Sequence, residues 1–222
     1  MDILFSGIIQ EIGQIIDIST STAGKSDGLI LNIQTSQQFS QLSLGESICV
    51  NGVCLTVIKF SNDNFMVEIC NETLLKTNFN QLKPGYYVNL EKSLKLNDGI
   101  SGHLVSGHVD YVACVYRIET DGFSTRLGFV APIDIDPFIV PKGSIAINGV
   151  SLTIVNVDKV NEQVYFDIAL IPHTLNNTNL GKLALNDTVN LETDLIARHL
   201  VKITATYLTN LVKPQTCPNP VK

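Results

Sequence analysis

A repeat of about 100 residues constrains the fold of this chain more than any other feature. The segment NGVCLTV begins at Asn51 and NGVSLTI begins at Asn148, 97 residues further on. The segment VNLE begins at Val88 and recurs at Val189, 101 residues later. Collinear matches at a nearly constant offset indicate a duplicated domain with small changes in loop length. Two copies are too few for a solenoid, so we expect two similar compact domains.

Short strands separated by turns account for each copy. Abundant Ile, Val and Thr favour strands, because β-branched side chains pack well on a pleated surface. Asn51-Gly52 and Asn148-Gly149 are the strongest hairpin signals, since a two-residue type I′ turn needs positive φ at both positions. Several short strands at even spacing predict a closed or nearly closed barrel. Taken alone, the NG-x-x-LT pattern fits a stable hairpin as well as a binding site. The strand candidates of the first copy are residues 7–16, 28–34, 47–60, 64–70 and 87–93.

The C-terminal segment predicts an amphipathic helix over residues 195–211. Either Thr193 or Asp194 is suited to cap its first turn. The helix must bury its apolar stripe, either on the chain's own barrels or against the same helix of neighbouring subunits. Residues 212–222 contain three prolines and are expected to form a loose tail. The predicted stripe is Ile196, Leu200, Ile203, Tyr207 and Leu211.

Charge and composition argue against several classes of protein. The formal net charge is −6 and no Lys/Arg cluster is longer than a pair, so no nucleic-acid partner is expected. No apolar run approaches the roughly 18 residues of a membrane span, so no membrane partner is expected. The N-terminus does not resemble a signal peptide. The 5 cysteines include no Cys-x-x-Cys pair, which disfavours a disulfide framework or a zinc site. We expect a cytoplasmic protein with a small, neutral or weakly charged ligand and no metal.

Seven short blocks occur in order along the chain. They are FSGII at 5–9, GES at 45–47, NGVCLTV at 51–57, GHLVSGHVD at 102–110, KGS at 142–144, NGVSLT at 148–153 and IPHTL at 171–175. Together they resemble the riboflavin synthase family, from residue 4 to residue 208. The resemblance implies a mainly β fold of two tandem, similar six-stranded Greek-key-type β-barrels plus a C-terminal α-helix. The implied domains are an N-terminal lumazine-binding barrel (1–102), a C-terminal lumazine-binding barrel (103–194), a trimerisation helix (195–211) and a flexible tail (212–222).

The resemblance also implies a reaction and an assembly. Two molecules of 6,7-dimethyl-8-ribityllumazine dismutate to riboflavin and 5-amino-6-ribitylamino-2,4(1H,3H)-pyrimidinedione, without a metal or an organic cofactor. Members of the family are typically homotrimers, with each active site between the N-terminal barrel of one subunit and the C-terminal barrel of the next. Association with a separate lumazine synthase is a further partner that the resemblance suggests. A duplicated domain suits a reaction between two identical molecules, because it offers two similar binding sites that can hold them together.

Four residues are implied to be catalytic, namely Cys54, His108, Ser151 and Thr153. Cys54 occupies the position that Ser151 holds in the other copy, so the two copies differ at a matched place. The Cys54 thiol would add to C7 of one lumazine or polarise it, although from residue type alone a small buried cysteine is the simpler interpretation. Ser151 and Thr153 would orient the ring or relay a proton with help from a stronger base. Ordinary strand positions are their alternative.

Other polar residues receive two interpretations each. His108 is the best candidate for a base or proton shuttle, because histidine titrates near neutral pH. His103, five residues earlier, is interpreted as a structural histidine that bonds to backbone. Lys142 would pair with ring carbonyl or ribityl oxygens, or would be a solvated loop lysine. Asp194 would act in the site or cap the helix. Ser47, equivalent to Ser144, would contact the ribityl chain or the ring.

The residues implied to contact substrate fall in both copies. We assign 7–9, 54–56 and 68–73 to the N-terminal barrel, and 107–109, 142, 151–153 and 171–176 to the C-terminal barrel. Ser6 stands where members of the family usually have Thr, which keeps the hydroxyl. The full predicted set is Ser6, Gly7, Ile8, Ile9, Ser47, Cys54, Leu55, Thr56, Glu68, Ile69, Cys70, Asn71, Glu72, Thr73, Gly107, His108, Val109, Lys142, Ser151, Leu152, Thr153, Ile171, Pro172, His173, Thr174, Leu175, Asn176 and Asp194.

Two other functions compete with this one. A non-catalytic lumazine or flavin carrier on the same fold is the closer rival, but such relatives have degraded NG-x-x-LT motifs and both copies are intact here. A flavin-reductase-like module would need a nicotinamide-binding domain, and no G-x-G-x-x-G follows a strand candidate. A purely structural duplicated barrel is disfavoured only by the motif match.

Overall fold

A computed structural model describes residues 4–20, 28–36, 39 and 41–212, the last four by their backbone alone. Six antiparallel strands form the first closed barrel, in the order β1-β2-β5-β4-β3-β6. Two short α-helical turns, α1 (Asn71–Lys76) in the first copy and α2 (Pro172–Asn177) in the second, follow matched strands. The strands of the first barrel are β1 (Glu11–Thr20), β2 (Leu29–Gln34), β3 (Ser47–Val50), β4 (Val53–Phe60), β5 (Asn64–Ile69) and β6 (Tyr87–Lys92).

The second barrel repeats the first. Read around the closed sheet, its order β7-β8-β11-β10-β9-β12 matches the first barrel strand for strand. The prediction of two tandem six-stranded barrels with a C-terminal helix is therefore confirmed. The strands are β7 (Tyr111–Asp121), β8 (Ser124–Pro132), β9 (Ser144–Ile147), β10 (Val150–Val160), β11 (Gln163–Leu170) and β12 (Thr188–Thr193).

Each barrel encloses its own apolar core. Side chains alternate between the interior and the outside along each strand, as a barrel requires. Phe65 and Phe79 are fully buried in the first core. Phe129 and Phe166 stack in the second, with 5.4 Å between ring centroids. Two separate cores leave the surfaces between the barrels free to carry polar groups.

The two Asn-Gly turns have the predicted conformation. The φ angles are 45° at Asn51, 81° at Gly52, 46° at Asn148 and 79° at Gly149, and a two-residue turn joins β3 to β4 and β9 to β10. The glycines of the two turns face each other. A Cβ atom at Gly52 would lie 2.9 Å from the Gly149 nitrogen. The repeated motif thus forms part of the contact between the barrels.

The segment before each barrel packs on the other barrel. The Ser151 amide donates to the Gly7 carbonyl at 2.7 Å, and the Cys54 amide donates to the Gly107 carbonyl at 2.8 Å. Ile9 packs against the second core and Val109 against the first. Strand β1 therefore begins at Glu11 and not at residue 7, because residues 7–9 belong to the exchanged segment.

The C-terminal helix α3 (Leu195–Val212) leaves its apolar stripe exposed. Asp194 caps it, since the Ile196 amide donates to Asp194 Oδ1 at 2.8 Å. The exposed fractions are 59% for Ile196, 58% for Leu200, and 64% for both Ile203 and Tyr207. The stripe is thus not buried on the chain's own barrels over this length. The side chain of Leu211 and nearly all of the predicted tail lie outside the described residues. None of the described helices is long and apolar enough to cross a membrane.

Candidate functional site

Residues 7–9 and 107–109, the exchanged segments, each cover one residue of the opposite barrel. We call these two segments the roof. Gly7 lies against Ser151, where a Cβ atom on Gly7 would come within 2.6 Å of Ser151 Cβ. Gly107 lies against Cys54 in the same way, at 2.5 Å. Both glycines have φ in the left-handed region, 74° and 78°. Only glycine satisfies the backbone conformation and the close approach together, so the motif Ser-Gly before each barrel is a structural requirement of the site.

This geometry bears on one prediction from the sequence. Residues 7–9 were assigned to the N-terminal barrel and 107–109 to the C-terminal barrel, and in the structure each segment also packs on the opposite barrel. Segment 7–9 therefore shares a site with Ser151, and segment 107–109 shares a site with Cys54. The repeat pattern relates each segment to its own copy in sequence and carries no information about which barrel it packs on.

The site on the second barrel contains a histidine–serine pair. His103 Nδ1 lies 2.7 Å from Ser151 Oγ, and His103 Nε2 has no hydrogen-bond partner among the described residues. Burial lowers the pKa of His103, and the Asp194 carboxylate partly opposes this. The ring is therefore neutral near pH 7 and able to accept a proton. The interpretation of His103 as a histidine bonded to backbone is wrong, since its ring bonds the Ser151 hydroxyl.

The site on the first barrel contains Cys54. Burial raises the pKa of its thiol, a hydrogen bond with Ser47 counteracts the effect, and the Glu192 charge adds to it. Cys54 is accordingly a neutral thiol at pH 7, suited to polarise a bound ring and dependent on a base to become a nucleophile. His108 follows Gly107 in the roof and is exposed. Its position suits it to meet a ligand bound above Cys54.

Two buried glutamates that sequence reasoning missed hold the roof segments. Glu91 accepts from the amide and hydroxyl of Ser6, both at 2.8 Å, and from the Gly7 amide at 3.0 Å. Glu192 accepts from the equivalent groups of Ser106 and Gly107 at 2.6, 2.7 and 2.9 Å. Both are almost wholly buried. The signal was present, since each ends a repeated VNLE segment.

The remaining predicted contact residues lie either on the paired strands or near the ends of strands. Thr56 pairs with Ser47 across β3 and β4, and Thr153 pairs with Ser144 across β9 and β10. Both threonines are exposed. Leu55 and Ile69 are buried in the first core.

The ends of matched strands supply the other candidates. Residues 70–73 lie at the start of α1 and residues 171–176 in and before α2. Cys70 is exposed, with its Sγ 3.3 Å from Thr73 Oγ1, and this hydrogen bond lowers the thiol pKa. Lys142 is exposed at a positive φ of 69°, matching Gly45 in the repeat. Glu68 is exposed on β5.

The described residues contain no cluster of three or more His, Cys, Asp or Glu side chains arranged to hold a metal ion. The four cysteines in the described part of the chain, Cys49, Cys54, Cys70 and Cys114, are all free.

Comparison with known proteins first establishes the class of protein to which this chain belongs. The lumazine-binding domain family matches residues 6–93 and again 106–194. A structure described as LumP complexed with 6,7-dimethyl-8-(1'-D-ribityl)lumazine superposes with a TM-score of 0.72 at 27% identity, covering 85% of this chain and 98% of that one. LumP complexed with riboflavin gives the same TM-score at 28% identity, with coverage of 85% and 98%. The molecule is a tandem lumazine-binding-domain protein.

Sequence relatives narrow this class to one family. Riboflavin synthase of Brucella abortus is 39% identical over 205 residues, covering 90% of this chain and 98% of that protein. Riboflavin synthase of Actinobacillus pleuropneumoniae is 36% identical over 197 residues, with coverage of 89% and 88%. The chain belongs to the riboflavin synthase family.

Proposed function

We propose that this chain catalyses the dismutation of 6,7-dimethyl-8-ribityllumazine. One molecule transfers a four-carbon unit to a second, giving riboflavin and 5-amino-6-ribitylamino-2,4(1H,3H)-pyrimidinedione. The two products together contain all the atoms of the two substrates, so the reaction needs no external oxidant or reductant. The observation that carries the proposal is a duplicated site with unlike reactive groups, in a chain whose relatives are riboflavin synthases.

The roles proposed for the side chains follow from their surroundings. The His103–Ser151 pair handles proton transfer with the lumazine held at the second barrel, because a neutral imidazole makes the hydroxyl a competent relay. Thr153 lies two residues along β10 and so shares a face with Ser151. At the first barrel, Cys54 polarises C7 of the other lumazine and His108 serves as acid or base. Backbone amides near Gly7 and Gly107 meet the polar edges of the rings.

The assembly we propose is a homotrimer, with each site between the first barrel of one subunit and the second barrel of the next. The exposed stripe on α3 supports it, because four large apolar side chains in a row need a partner. Bringing two lumazines together supplies much of the rate, since effective molarities reach about 10⁵ M or more. We place the protein in the cytosol, where free cysteines such as Cys49 and Cys70 persist. A lumazine synthase is a further partner to test.

A carrier without turnover is the second candidate function. The LumP structures carry 6,7-dimethyl-8-ribityllumazine or riboflavin on the same fold, which favours this alternative. The intact Cys54 and the His103–Ser151 pair favour an enzyme, because binding alone does not require a proton relay.

Variants of two residues separate the candidates. We expect Cys54→Ser and His108→Ala to lower kcat for riboflavin formation by about 10²-fold or more, while the Kd for lumazine, followed by fluorescence, changes far less. Ser124→Ala, at the first residue of β8, is the control and should leave both values unchanged. Parallel loss of affinity and turnover would count against catalytic roles for Cys54 and His108. Riboflavin formation by neither the wild type nor any variant would identify a carrier.

A further inference from the structure

Arg198, in the first turn of α3, reaches from the helix to the roof of the first site. Its Nη1 lies 3.0 Å from Asp110 Oδ1, and its Nη2 lies 3.4 Å from both Glu192 Oε1 and Ser106 Oγ. The side chain is 24% exposed, against 1% for Glu192. A planar guanidinium is suited to several acceptors at once, because its donors have a fixed fork geometry.

The two carboxylates that Arg198 contacts hold opposite ends of the segment 106–110. Glu192 binds the amides of Ser106 and Gly107. Asp110 accepts at Oδ2 from the amide and hydroxyl of Thr193, at 2.9 and 2.8 Å. Between these anchors lie the Gly107 carbonyl, which binds the Cys54 amide, and His108. The position of His108 therefore depends on both carboxylates.

The first copy provides an internal comparison. Gln10 occupies the position of Asp110, and its Oε1 accepts from the Lys92 amide at 2.9 Å, as Asp110 accepts from Thr193. Glu91 has no ion-pair partner within the described residues. The first copy thus holds its segment 6–10 with one carboxylate and one neutral amide. The second copy has an additional carboxylate, and the Arg198 guanidinium balances it.

We propose that Arg198 is a positioning residue, which fixes the segment 106–110 so that His108 is held above Cys54. The inference rests on the proposed function. Helix α3 then has a second role besides presenting the exposed stripe, because Arg198 in its first turn holds a reactive histidine in position.

The test uses the full chain and 6,7-dimethyl-8-ribityllumazine. We expect Arg198→Met to lower kcat by roughly 10- to 100-fold, since a displacement of about 1 Å costs as much, while KM changes by less than threefold and the subunit count stays the same. Arg198→Lys should recover part of the loss, because it keeps the charge without the fork. Arg126→Met is the matched control. It removes an arginine of similar exposure, 31% against 24% for Arg198, beside Asp167 on the same barrel and away from the roof, and should keep the wild-type kcat.

A double variant gives a readout that a merely structural role would not produce. Asp110→Asn combined with Arg198→Met restores the charge balance of the first copy, so its kcat should exceed that of Arg198→Met alone. A wild-type kcat for Arg198→Met, or an equal loss in Arg126→Met, would overturn the proposal. The proposal would also be overturned if the double variant lost kcat by the product of the factors lost in Asp110→Asn and in Arg198→Met separately. Should Arg198→Met not fold, Arg198→Lys and the double variant decide the question. Absence of riboflavin formation by the wild type would instead refute the proposed function.

Discussion

Cys54 and Ser151 occupy matched positions, but the groups around them that can move a proton differ. Ser151 lies against His103, whereas the residue that corresponds to His103 in the first copy is the apolar Ile3. His108 follows Gly107 above Cys54, whereas Ile8 follows Gly7 above Ser151. We therefore propose that each site receives one imidazole, from a different place in the repeat. Two identical molecules can take different roles only if the groups around them differ.

The lowered pKa of His103 gives a prediction for stability. The unfolded chain has an ordinary histidine pKa of about 6.5, so it takes up a proton at a higher pH than the folded chain does. The contribution of His103 is therefore fully present above that pH and declines as pH falls toward the folded-state pKa. We expect urea unfolding of His103→Gln to show a shallower loss of stability over this range than the wild type. An unchanged pH dependence would show that His103 does not have the assigned environment.

The roof glycines give a prediction with an internal control. Gly107→Ala should cost about 1–2 kcal/mol for the left-handed backbone, and more for the contact with Cys54, where its Cβ would lie 2.5 Å from Cys54 Cβ. Gly122→Ala has a similar φ of 61° but meets no atom within 4 Å. Gly122→Ala should therefore lower the free energy of unfolding only by the cost of the left-handed backbone, and turnover should be unchanged. Thermal unfolding and riboflavin assays measure both effects, and equal behaviour of the two variants would refute the close packing.

At the scale of elements, the local signals predicted most of the strands. Asn51-Gly52 and Asn148-Gly149 mark their hairpins because few other pairs tolerate positive φ twice in succession. Helix α3 follows from a single apolar stripe and begins, as expected, after Asp194. These features depend on residues a few positions apart, so the sequence carries them directly.

Features that depend on distant contacts were not predictable in this way. The exchange of segments 7–9 and 107–109 is decided by the fit of a glycine against Ser151 or Cys54 in the other copy. Burial of Glu91 and Glu192 is decided by amides some 85 residues away in sequence. A glutamate near the end of a strand is usually exposed, so only the repetition of VNLE marked these two residues. His103 was misread for the same reason, since its partner is 48 residues distant.

The stripe on α3 gives a prediction for assembly. Ile203→Asp places a charge in the middle of the stripe and should dissociate the proposed trimer, because a carboxylate is costly to bury between apolar helices. Light scattering should then give a mass near 24.3 kDa, the mass of one chain, and not three times that value. Turnover should fall with the trimer fraction. Lys202→Glu changes the charge on the opposite face of the helix and should do neither. A fully active monomer would refute the intersubunit site.

At the scale of the whole molecule, asparagines tie the two barrels together near a pseudo-twofold axis. Asn89 donates to the Asn148 carbonyl at 2.9 Å and Asn190 donates to the Asn51 carbonyl at 2.9 Å, which is the same bond made in both directions. Asn179 adds bonds to Asn51 and Asn89. A buried, mutually satisfied polar network fixes relative orientation more strictly than apolar packing does. The network therefore ties the Asn-Gly turn of each barrel to a strand of the other.

The measurement that most directly tests the central claim is the stoichiometry of turnover. Purified protein is mixed with 6,7-dimethyl-8-ribityllumazine as the sole organic reactant, and substrate and product are followed by absorbance. We expect one riboflavin for every two lumazines consumed, with the pyrimidinedione formed in an amount equal to riboflavin. Tight lumazine binding without riboflavin formation would contradict it, and would show that the duplicated sites of this chain serve to hold the ligand.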